Sequence, residues 1–161
     1  MLTPYYKVCL LVFTIIIDLV AYLAFLLSIK TCCVYRIMKI SLTIAIGLVW
    51  FINGLICKVL GLTPRHEEIV AQILGQDYAS IFTVMIGSSE VVMAIWVWSR
   101  KWLKFITYTQ IGLVLTMNIL ETIIAPNLLL WGNLNIIWAS MFCLVVWFHY
   151  RIISKNTVTA S

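Results

Sequence analysis

Charge is what this 161-residue chain has least of: Asp, Glu, Lys and Arg together make up 11% of it, against roughly 25% in a soluble domain. That scarcity excludes an ordinary soluble globule. Hydrophobic residues reach 63% and the mean hydropathy is +1.07, more apolar surface than one small core can bury, so most of it faces lipid. The five cysteines, Cys9, Cys32, Cys33, Cys57 and Cys143, contain no C-x-x-C pair. The chain also lacks a glycine-rich phosphate loop, a G-x-S-x-G elbow and an Fe–S ligand run. A self-sufficient redox enzyme is therefore not what the sequence describes, and the two histidines, His66 and His149, fall at opposite membrane faces where they cannot share a metal. Metal ligation is not expected.

What the chain does have is five apolar runs long enough to cross a bilayer. About 20 helical residues at roughly 1.5 Å each cover a hydrocarbon core of about 30 Å. The runs fall at about 8–29, 40–60, 79–99, 105–124 and 134–150. Their length, not their periodicity, identifies them, because a lipid-facing helix is apolar on nearly every side. The first run is too long for a signal-peptide core and no small-residue cleavage site follows it, so it reads as a retained helix. Met38-Lys39 before an apolar run is an alternative start that leaves the other four spans unchanged.

The net charge of +5 would suggest nucleic acid in a soluble chain. Here the basic residues lie between apolar runs and set orientation instead. Lys30, Arg36, Lys39, Arg100, Lys101, Lys104, Arg151 and Lys155 fall on one side, and only Lys7, Lys58 and Arg65 on the other. Eight against three predicts the N-terminus outside and the C-terminus in the cytoplasm. Tyr5 and Tyr6 at one interface, and Trp98, Trp102, Trp147 and Tyr150 at the other, fit the same placement. On the outer side only Cys9 and Cys57 lie near each other in depth, so they are the one pair in position for a disulfide.

The external connection at 61–78 has a helix of its own. Thr63 can cap it, Pro64 can open it and Gly75 can end it. Ile69, Val70, Ile73 and Leu74 share one face, and three turns are too short to span, so this helix is expected along the interface or over the mouth of the bundle.

Ionisable groups within spans cost about 2.5–3.5 kcal/mol each on insertion scales, so each needs an internal partner or a job. Asp18, Lys58, Glu90 and Glu121 are such groups, joined by the amides Asn53, Gln110, Asn118 and Asn135. Counted at roughly 1.5 Å per residue from the inner end of each span, Asn53 and Asn118 sit about 20 Å up, Glu121 about 24 Å and Lys58 about 27 Å, with Glu90 lower at about 13 Å. Gln110, Met117 and Glu121 share a face of the fourth span, with Asn118 on its flank. Gly47, Gly54 and Gly61 form a seam of small residues on the second span, and Gly87, Glu90 and Ala94 share a side of the third. Two readings follow. Lys58 pairs with Glu121, Glu90 bonds an amide and the network only fixes packing; or an outward-facing polar cavity binds a small molecule or quinone head group. Arg65 and His66 stand near its mouth, where either can hold an anionic head group or be balanced by Glu67 and Glu68.

The same residues carry a family resemblance. Trp50-Phe51-Ile52-Asn53-Gly54-Leu55, Lys58-Val59-Leu60 and Thr63-Pro64-Arg65-His66-Glu67-Glu68 resemble the DoxX-like membrane family. So do Ile86-Gly87-Ser88-Ser89-Glu90, Thr116-Met117-Asn118-Ile119-Leu120-Glu121 and Ala125-Pro126-Asn127-Leu128. The resemblance covers about 38–150. It implies a four-helix membrane bundle, a bacterial inner membrane and a link to redox work, since relatives include a small subunit of a thiosulfate:quinone oxidoreductase and domains joined to nicotinamide-dependent dehydrogenases.

The expected protein is thus an all-α integral membrane protein: an antiparallel four-helix transmembrane bundle at 38–150, an extra N-terminal transmembrane helix within 1–37, and a cytoplasmic polar tail at 151–161. Asn53, Lys58, Arg65, His66, Glu90, Asn118 and Glu121 are the expected lining of its cavity. No cofactor motif is evident, and a quinone is the cofactor such a lining can take. The expected partners are the lipid bilayer and a soluble oxidoreductase, with no nucleic acid. A small proton-coupled transporter or lipid-handling protein, and an enzyme acting on a quinone, are the alternatives.

Overall fold

A computed structural model of the chain describes Asp18, Tyr22 and residues 32–128 and 134–158. The run expected at 8–29 lies outside the described residues apart from Asp18 and Tyr22, which are helical and exposed, and so does Cys9 of the disulfide considered above. The elements are α1 (Cys32–Phe51), a π-helical segment (Ile52–Val59) that continues it, α2 (Pro64–Leu74), α3 (Gln76–Ser99), α4 (Leu103–Ile124), a short 3₁₀ turn (Pro126–Leu128) and α5 (Leu134–Val158). Among the described residues there is no strand.

Four of these helices are long and apolar enough to cross a membrane: Arg36–Val59, Gln76–Ser99, Leu103–Ile124 and Leu134–Ser154. Their 21 to 24 residues exceed the length a hydrocarbon core demands. The apolar runs thus mark the right segments, while the helices extend past them by two to four residues at four of the eight ends. Helical hydrogen bonding does not stop where hydropathy falls, so polar residues such as Arg36, Gln76 and Asp77 are drawn into the helices.

Packing sets these helices around α1. Met38, Leu42, Ile46 and Trp50 recur every four residues and meet Met93, Ala94 and Val97 of α3, Ile106 of α4, and Phe142, Val145 and Val146 of α5. The closest approach is between Gly54 and Gly87. A Cβ built on Gly54 would stand 2.6 Å from the Gly87 carbonyl oxygen, and one on Gly87 would stand 2.7 Å from that of Gly54. Only two glycines facing each other allow the helices this close. Gly47 instead accommodates the Trp98 indole, whose Nε1 donates to the Ile44 carbonyl at 3.3 Å.

The expected glycine seam is therefore corrected at its end. Gly61 has φ +63 and open space around it, so it turns the chain out of the helix and packs against nothing. At the other connection Arg100 and Trp102 both adopt φ 53, a conformation costing roughly 1–2 kcal/mol in a residue other than glycine. The Trp96 Nε1 donor to the Lys101 carbonyl (3.2 Å) and the Lys101 amide donor to Ser99 Oγ (3.4 Å) brace this turn.

Candidate functional site

One group of interior polar residues forms where the π-helical segment faces α3. Lys58 Nζ donates to Glu90 Oε1 and forms an ion pair with it, and Asn53 Nδ2 donates to Glu90 Oε2 at 3.1 Å. Both charged side chains are buried, at 9% and 6% exposure, which is tolerable in an apolar bundle because each has a partner of opposite sign.

The local backbone makes this convergence possible. Asn53 and Lys58 are five residues apart, a spacing that points side chains to different faces of a regular α-helix. In a π-helix the hydrogen bonds run five residues back, as from the Leu60 amide to the Leu55 carbonyl at 2.9 Å, so residues at that spacing come onto one side. Gly54, Cys57 and Lys58 are the residues it buries.

A second group forms between α2, α4 and α5. Arg65 Nη2 lies 3.9 Å from Glu121 Oε2. Asn135 Nδ2 donates to Asn118 Oδ1 at 2.9 Å and to Glu121 Oε2 at 3.4 Å. Helix α2 reaches this position because it packs on α3 and also touches the π-helical segment, α4 and the Pro126–Leu128 turn.

His66 connects the two groups electrostatically. Burial lowers its imidazole pKa to about 3, aided by the positive charges of Lys58 and Arg65. Part of its surface stays accessible, yet its burial beside two cations keeps it neutral at physiological pH. It offers one N–H donor and one ring-nitrogen acceptor.

Six of the seven expected residues thus belong to these two groups, with His66 coupled to both only through charge, and the pairing differs from expectation. Lys58 is bound to Glu90, and Glu121 faces Arg65. The Lys58–Glu121 pairing of the packing reading holds only if the spans end at one level. They are staggered: Trp98, next to the end of α3, lies against Ile44 and Gly47. That offset, together with the reach of the lysine side chain, brings Glu90 level with Lys58.

The expected cap of α2 is also corrected. Thr63 stands at the N-cap with φ −128 and ψ 88, but its hydroxyl makes no capping bond. Its carbonyl accepts from the His66 amide at 3.2 Å instead. Thr63 Oγ1 and Arg65 Nε are buried atoms with no hydrogen-bond partner.

Two further polar pairs lie along the bundle. Thr43 Oγ1 and His149 Nε2 are 2.8 Å apart, and Trp50 Nε1 donates to Gln110 Oε1 at 2.9 Å. The sequence reading placed Gln110 on an inward face but found no partner for it, since indole donors are invisible to a count of charges. Among the described residues, no group of three or more His, Cys, Asp or Glu side chains could hold a metal ion.

The model of the DoxX-like family matches residues 47–148, which hold both polar groups. No curated protein and no solved structure matches the chain.

Proposed function

The chain belongs to the DoxX-like family, and from that premise we propose that it is a non-enzymatic inner-membrane subunit whose polar end receives a quinone head group for a redox partner. One observation carries this reading. Two pairs of opposite charge, Lys58 with Glu90 and Arg65 with Glu121, are contributed by four different elements to one end of a bundle whose other described interior pairs are uncharged. Helix packing alone is served by the glycine contact and the aliphatic core, so such costly groups suit a ligand with polar edges and an apolar body.

The role is that of a subunit because Asn, Lys, Arg, His and Glu side chains hold and orient a ligand but do not carry electrons. Oxidation or reduction of a bound quinone falls to the soluble oxidoreductase. Transport with Glu90 as proton carrier has less support, since Glu90 would have to leave both Lys58 and Asn53 at each cycle.

The proposed topology is an antiparallel bundle with α2 outside and the C-terminus in the cytoplasm of a bacterium. Its support is the pairing of Lys58 with Glu90 and Ile44 with Trp98, and of Asn118 with Asn135 and Tyr108 with Trp147. Each runs along one helix as it runs back along the other. Arg36, Arg100, Lys101, Lys104 and Arg151 are all exposed cations of the cytoplasmic side.

The test is direct. The protein purified in mild detergent should yield quinone on solvent extraction, and added short-chain quinone should raise its melting temperature. No extracted quinone and no stabilisation would remove the reading.

A further inference from the structure

Thr63 and Arg65 stand out because each carries a buried polar atom that nothing in the described site meets. The Thr63 residue is 6% exposed, and its hydroxyl and the Arg65 Nε–H are both buried without a partner. Buried donors are almost always satisfied, so two orphaned ones at the first turn of a single helix call for an acceptor from outside the chain. Arg65 cannot be released from its charge and has no acceptor of its own, so what meets Nε must bring an oxygen lone pair.

The charge of the surroundings decides what kind of oxygen. Arg65 is already faced by Glu121, and Lys58 by Glu90, so two cations are matched by two carboxylates. His66 is neutral and adds none. A carboxylate or phosphate entering here would bring one uncompensated negative charge or more into a buried place, whereas an uncharged carbonyl brings none. The approach is apolar as well: Leu60 and Leu62, the residues just before Thr63, are exposed at 60% and 46%, and Ile69 and Val70 line the buried side of α2.

We propose that the Thr63 hydroxyl and the Arg65 Nε–H together form a binding site for one uncharged carbonyl oxygen carried on an apolar body. A quinone ring and a lipid ester both present that oxygen. The site deepens the proposed function if the quinone is its occupant, and stands without it if the ester is.

The experiment uses the full chain in a maltoside detergent, which carries no carbonyl, with binding read by thermal shift and by titration. The probes are a short-chain ubiquinone, a fatty-acid methyl ester, laurate and inorganic phosphate. At least one of the two carbonyl probes should bind, and laurate and phosphate should not displace it. Arg65→Lys keeps the charge facing Glu121 and deletes the Nε donor, and Thr63→Val keeps the shape and deletes the hydroxyl. Each should weaken binding by about tenfold or more. Thr63→Ser restores a hydroxyl and should restore affinity, which a folding defect at Thr63 would not predict.

Quinone binding that is equal in the wild type, Arg65→Lys and Thr63→Val would overturn this site and leave the quinone reading standing. Ester binding that depends on both residues, with no quinone binding, would do the reverse. Preferential capture of laurate or phosphate would overturn the choice of an uncharged oxygen, and binding of neither carbonyl probe would remove both proposals.

Discussion

Lys58 and Glu90 each carry a charge that the apolar interior tolerates only because the other is there. Taking away one partner strands its mate, at a cost of about 3–5 kcal/mol, while replacing both with apolar residues of similar size is close to neutral. Glu90→Gln and Lys58→Met should therefore each destabilise the protein in denaturant unfolding far more than the double variant Lys58→Met/Glu90→Leu. Equal losses in single and double variants would mean the two charges are not coupled. His66 gives a second residue-scale prediction, with a sign fixed by its depressed pKa. The unfolded state takes up a proton near 6.5 and the folded state only near 3, so the unfolded form binds more protons between these values and acid favours it. Stability should fall as pH drops from about 6.5 towards 3, with a slope approaching 1.4 kcal/mol per pH unit from this residue. Melting curves at pH 7.5 and pH 5 should show a smaller difference in His66→Gln than in the wild type. The presence of Lys58, Glu90 and Glu121 in the site could be read from the sequence, because a charge in an apolar run is conspicuous. Their pairing could not, since it depends on the stagger of two helices, and Thr63 was legible only as a cap because its orphaned hydroxyl is a product of backbone angles.

At the scale of elements, hydropathy located the four described spans and the short amphipathic α2, with Pro64 at its start and Gly75 (φ +91) at its end as expected. It was silent on the π-helical segment. No residue type encodes that widening, and hydropathy is blind to whether a hydrogen bond runs four residues back or five. Yet the widening puts Asn53 and Lys58 on one carboxylate, so the least legible element is the one that assembles the site. The glycine contact that holds this segment against α3 is tight enough to test. Gly87→Ala would drive a methyl group into the Gly54 carbonyl oxygen, a backbone atom with nowhere to go, and overpacking of this kind costs about 1–3 kcal/mol. Gly112, exposed on α4 with nothing near its Cβ position, supplies the contrast: Gly112→Ala should be neutral or up to about 1 kcal/mol stabilising through helix propensity. Thermal unfolding should drop for Gly87→Ala and stay level or rise for Gly112→Ala, and if both behave alike the Gly54–Gly87 contact is not what sets the helix spacing.

For the whole molecule the proposed orientation rests on where the exposed cations lie. Of the three cations assigned to the outer side, Lys58 and Arg65 each face a carboxylate. Neither is exposed, whereas Arg36, Arg100, Lys101, Lys104 and Arg151 are. Among the described residues, the exposed lysines and arginines thus all lie at the end away from Lys58 and Arg65, which is the pattern the proposed orientation rests on. Glu68 on α2 and Lys101 between α3 and α4 are exposed reporters for the two sides. With the native cysteines replaced by serine, a cysteine at position 68 should react with a membrane-impermeant thiol reagent in intact spheroplasts, and one at position 101 only after permeabilisation. The opposite pattern would turn the Lys58–Glu90 and Arg65–Glu121 pairs towards the cytoplasm. A soluble oxidoreductase would then have to be sought on the inner side, because a partner acting on a ligand at this end must share its compartment.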